Sequence, residues 1–148
     1  MNKAILLPML VLAGWTMIVW IWMYATRIPA MGRAGIDGAK MVGATGKSLR
    51  DDLVAAGEHR ASWVADNYNH LMEQPTIFYA TALALAVMGE GGSLAVNLAW
   101  GYAGLRIVHS LVQILSNRVV VRFLVFALAS LCLLGLVLLA LSIASAQA

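Results

Sequence analysis

The chain has 148 residues, 61% of them hydrophobic and 11% charged, with a formal net charge of +3 and a mean hydropathy of +0.82. That is too few charges to coat a soluble globule and too many long apolar runs for one core, so the bilayer is the better solvent. The excess of basic residues reads as a topology and lipid-headgroup signal rather than as nucleic-acid affinity, and the single cysteine, Cys132, excludes a disulfide framework within one chain.

A membrane span needs about 20 mainly apolar residues and must be helical, because lipid offers the backbone no hydrogen bonds. Four stretches qualify, at about 4–25, 69–88, 94–115 and 119–144. The expected fold class is therefore an all-α integral membrane protein, a four-transmembrane-helix bundle forming a single domain over 1–148. In the first stretch Lys3 precedes an apolar run longer than a secretory h-region and without a clear small-x-small cleavage site, so it reads as a retained helix. Trp15, Trp20, Trp22 and Tyr24 suit its interfacial end.

The connection at 26–66 carries glycines at 32, 35, 38, 43, 46 and 57, which argue against one rigid helix throughout. Within it GATGKS looks like the end of a phosphate-binding loop, but Met41 stands where that motif needs a glycine and no β-α-β pattern surrounds it. Lys47, Arg50, Asp51 and Asp52 read instead as a solvated turn and helix start. Arg27, Arg33, Lys40, Lys47, Arg50 and Arg60 fall in this connection, and Arg118 and Arg122 in the third. The second connection and the C-terminus have no Lys or Arg, so both basic loops are expected in the cytoplasm and both termini on the other side.

The second span opens on polar residues. Asp66, Asn69, His70 and Glu73 share one side of a helix at about 100° per residue, and Pro75 below them is expected either to kink or loosen it or to lie in the early turns of an interfacial helix start. The third span repeats the pattern with Tyr102, Arg106, His109, Ser110, Gln113 and Asn117 at spacings of three and four. Lipid cannot face that stripe. Arg106 lies well inside the membrane zone, where an unpaired charge costs at least about 2.5 kcal/mol, and Glu73 is the expected partner. The start of the second helix, the end of the third and the start of the fourth meet at the cytoplasmic edge. Glu73, Arg106, His109, Gln113, Arg118 and Arg122 can therefore converge in a pocket with excess positive charge. Such a pocket suits a small anion carrying an amine, with guanidinium forks on its carboxylates. In the last span Cys132 lies among leucines and reads as inert packing. No metal-ligand cluster is read.

The order N-H-L-M-E-Q-P-T-I-F-Y, then W-G-Y-A-G-L-R-I-V-H-S, then N-R-V-V-V-R-F, following a first span and a basic loop, resembles the membrane-associated proteins in eicosanoid and glutathione metabolism, the MAPEG family, and most its bacterial branch. The likeness covers about 60–129. It implies a homotrimer in the bacterial inner membrane, with glutathione as co-substrate bound between subunits near the cytoplasmic face. It further implies a transferase or peroxidase acting on hydrophobic small molecules that arrive through the bilayer. Carried over by position, Asn69 or His70, Glu73 and Arg106 match the glutathione-contacting pattern, with Arg60 a looser match. Arg118 aligns with the arginine that stabilises the glutathione thiolate in leukotriene synthases. Where those relatives carry tyrosines after the third-helix arginine, this chain has Ile107 and Leu111, and His109 and Gln113 are the residues able to replace them. Two other readings stay open: a non-catalytic lipid or small-anion binding protein, and a structural subunit of a larger membrane complex.

Overall fold

The computed structural model describes residues 3–89 and 92–147, and these contain six α-helices and one 3₁₀ turn. The expected positions of the two chain ends, Met1 and Ala148, lie outside the described residues. Helix α1 (Leu6–Arg33) runs past the expected end of the first span. Thr26 satisfies its hydroxyl within the helix by donating to the carbonyls of Trp22 and Met23 at 3.0 and 3.1 Å. Pro29 removes a single backbone donor, and beyond it Ala30 is packed into a small core with Leu53 and Ala61. That burial holds the extra turns in place.

The 3₁₀ turn (Gly38–Lys40) leads to α2 (Gly46–Ala55). The GATGKS segment is the N-terminus of α2: Thr45 Oγ1 accepts from the Ser48 N–H at 3.1 Å, and Ser48 Oγ accepts from the Thr45 N–H at 2.9 Å. Gly57, at φ +84°, ends this helical stretch in a conformation that favours glycine, and the chain re-enters a helix at once. The ends of α1 and of this turn are tied by Arg33, which donates through Nε and Nη2 to the two Glu58 carboxylate oxygens at 2.7 and 2.8 Å. Those bonds hold the Glu58 carboxyl below its ordinary range.

The stretch expected as one span at 69–88 is two helices, α3 (His59–Met72) and α4 (Pro75–Val87). Pro75 does not kink a continuous helix; it starts a new one. Glu73 leaves helical geometry at ψ −99°, and Pro75 takes the first turn of α4, where its missing N–H is an orphan in any helix. Helices α5 (Ser93–Leu115) and α6 (Val119–Gln147) follow. They pack closely at Gly101, where an added Cβ would stand 3.2 Å from Cys132 Sγ. Cys132 is thus a packing residue.

One apolar core joins Leu12 and Val19 of α1, Phe78 and Leu85 of α4, Tyr102 of α5 and Leu136 of α6. Helices α1 and α6 are long and apolar enough to cross a membrane. Most of the apolar stretch of α6 is not buried within the chain, unlike the core helix of a soluble protein. Val120, Phe123, Leu124, Leu131 and Leu138 instead face outward.

Candidate functional site

Helices α3 and α5 are joined by a buried polar network. Asn67 donates through Nδ2 to Gln113 Oε1 at 3.1 Å and accepts from the Ser110 hydroxyl through Oδ1. All three side chains are at most 1% exposed. The polar stripe of α5 therefore does turn inward, with Tyr102, Arg106, His109, Ser110 and Gln113 all buried. A second link runs nearby: Gln74 donates to Ser130 Oγ at 2.9 Å and accepts from Tyr102 OH at 3.4 Å, tying the α3–α4 break to α6.

Arg106 is 1% exposed. It donates through Nη2 to the His70 carbonyl at 2.5 Å, and its guanidinium carbon stands 5.6 Å from the Phe126 ring centroid. Its Nε and Nη1 have no hydrogen-bond partner among the described residues. Glu73 is not the contact partner expected for it. Because the chain leaves the helix at Glu73, that carboxylate turns outward to 3.7 Å from His70 Nδ1, with its side chain 67% exposed.

Two cavities meet at this end of the bundle. One, of about 350 Å³, is polar and lined by Arg50, Asp66, Asn69, His70, Glu73, Gln113, Asn117 and Arg122. The other, of about 220 Å³, is apolar except at its rim, with His70, His109, Arg122, Val119, Phe123 and Phe126 around it. His70 and Arg122 line both. The His70 and His109 rings lie 6.1 Å apart, and Phe126 stands 5.9 Å beyond His109.

Arg122 is positioned by the α5–α6 turn. Asn117 adopts φ +48°, its N–H bonds the Val112 carbonyl at 2.7 Å, and its side-chain oxygen accepts from Arg122 Nη1 at 2.6 Å. On the opposite wall Arg50 donates through Nε to both Asp66 oxygens at 3.0 Å. That bond raises the Arg50 pKa further above its ordinary value, so the wall keeps a fixed cation and a fixed anion side by side.

Of the residues expected at the site, Asn69, His70, Glu73, Gln113 and Arg122 come together around the polar cavity, and His109 around the adjoining apolar one. Arg106 stands behind them, bonded to the His70 carbonyl. Arg118 is exposed and lines neither cavity. Arg60 lines a different cavity at the end of α1. Asn67, Arg50 and Phe126 were not singled out as site residues. Asn67 had a signal, one helical turn before His70 on the same face, whereas nothing in the sequence brings Arg50 to Asp66. No group of His, Cys, Asp and Glu able to hold a metal occurs among the described residues.

A buried polar stripe among apolar helices, with a polar cavity at one end, fits an integral membrane protein. A model of the MAPEG family matches residues 5–142, and the chain belongs to that family. No curated protein and no solved structure matches it.

Proposed function

We propose that this protein joins glutathione to hydrophobic electrophiles, or uses it to reduce hydrophobic peroxides, at the junction of the two cavities. The observation that carries this reading is that His70 and Arg122 border both the polar and the apolar cavity. A hydrophilic thiol held on the polar side would present its sulfur to a hydrophobic partner on the other. The polar walls suit glutathione in kind: Arg50 for one carboxylate, Asp66 and Glu73 for its ammonium, and Asn69, Gln113 and Asn117 for its peptide groups and second carboxylate, which leaves Arg122 for the sulfur. A guanidinium beside the sulfur favours the thiolate over the thiol, which is mostly protonated at neutral pH. The thiolate then forms the carbon–sulfur bond while the leaving group departs with its electron pair.

Resemblance gives the thiolate-stabilising role to Arg118. We assign it instead to Arg122 of the same chain, because Arg118, one turn earlier, is exposed and lines neither cavity. We further propose that the chain assembles as a homotrimer of four-helix subunits in the bacterial inner membrane. In that subunit α3 and α4 together make the second rod, and the basic loops face the cytoplasm. Cysteines placed at Lys47 and at Gln147 are expected to react with an impermeant maleimide from opposite sides, Lys47 from the cytoplasm. Equal labelling from one side would remove the four-span topology.

The test of function is glutathione turnover by the purified protein with a chromogenic electrophile and with a lipid hydroperoxide, alongside the ultraviolet absorbance of bound thiolate. Turnover with either acceptor is the expected result. Thiolate absorbance without turnover would leave a non-catalytic binder. Neither signal, together with a co-purifying larger assembly, would make the protein a structural subunit.

A further inference from the structure

We propose that the groove at the C-terminal end of α1 is a binding site for one anionic diacyl phospholipid, separate from the site above. Two further cavities adjoin there. One, of about 680 Å³, is almost wholly apolar and lies along the outer face of α1 between Trp20, Ile21, Tyr24 and Ile28. The other, of about 750 Å³, lies beyond it, where Arg33, Glu58, His59, Arg60 and Trp63 surround a more polar space. Ala25 and Pro29 line both, so the two halves form one groove.

The order of chemistry along that groove is the order along a phospholipid. Acyl chains fit the apolar half, whose residues belong to a helix long and apolar enough to lie in the bilayer. At the polar end Glu58 is already bonded to Arg33, whereas Arg60 makes no hydrogen bond or ion pair among the described residues. The lining therefore carries one uncompensated positive charge at headgroup depth, which selects a phosphate without a balancing ammonium. Trp63 on the same wall is a residue suited to the membrane–water boundary. Arg60 thus has a role in a cavity that shares no residue with the polar site.

The test is native mass spectrometry of the purified oligomer, titrated with phosphatidylglycerol or phosphatidylcholine in mild detergent. The expected result is retention of phosphatidylglycerol over phosphatidylcholine. Arg60→Glu should weaken that retention about tenfold, while Lys47→Glu, the same charge change outside the groove, leaves it unaltered. Ala25→Trp, a change at an exposed position that blocks the junction, should weaken it comparably without altering the helical content. Equal losses in Arg60→Glu and Lys47→Glu would reduce the effect to general surface charge and overturn the proposal. So would displacement of the lipid by inorganic phosphate alone, which would make the polar end a free-anion site. A Cys at Ala25, in a Cys132→Ser background, that resists a bulky maleimide in an oligomer retaining no lipid would give the groove to a second copy instead.

Discussion

Asn67→Ala is expected to lower the stability of the folded protein by about 2–3 kcal/mol, because it removes two buried hydrogen bonds at once and leaves their partners unpaired. Gln113 Oε1 loses its donor and the Ser110 hydroxyl its acceptor, in a region with at most 1% exposure. Asn69→Ala, two residues on, removes an exposed amide and should change stability by no more than about 0.5 kcal/mol. The midpoint of thermal unfolding in mild detergent, followed by circular dichroism, compares the two. Equal shifts would mean that the network contributes nothing beyond ordinary packing, an outcome close to the small average found for hydrogen bonds between membrane helices.

Arg122→Ala is expected to lower glutathione turnover at neutral pH by about a hundredfold, the scale of losing one group that stabilises charge at a reacting centre. Removing the guanidinium raises the apparent pKa of the bound thiol, so the thiolate fraction at neutral pH falls and turnover recovers as the buffer becomes more alkaline. Arg122→Lys keeps the charge but loses the planar fork that holds Asn117 Oδ1, and should fall between Ala and Arg. Arg118→Ala should stay within about twofold of the parent if each site is complete in one chain. The reverse pattern, with loss confined to Arg118→Ala, would place the thiolate on a neighbouring copy and return the assignment to Arg118. Thiolate absorbance in each variant distinguishes a shifted pKa from lost binding.

The sequence was most informative about faces. A helix period alone places Tyr102, Arg106, His109, Ser110 and Gln113 on one stripe, and lipid excludes such a stripe, so its burial follows without any coordinates. Asp66, Asn69, His70 and Glu73 were likewise placed on one side, and all four line the polar cavity. Partnerships were harder to read. Glu73 was matched to Arg106 by charge, but the helix ends at Glu73 and the side chain turns to His70 instead. Periodicity assumes the helix continues, and a residue at a break no longer obeys it. The same assumption favours Pro75 as a kink inside a helix, whereas it is the first residue of a new one, closer to the alternative of a helix start with Pro in its early turns.

What the sequence by itself determined was the solvent, the helical class, the inward stripe of α5 and the family, because each depends on local composition, period or motif order. Only the tertiary structure decided which amide crosses to α5, which arginine borders both cavities, and that Arg50 reaches Asp66 across the loop. These depend on where one helix stops and how the next is turned against it. A shift of one residue in a helix rotates its side chain by about 100°, so contacts between distant segments are set by packing and turn geometry rather than by spacing along the chain.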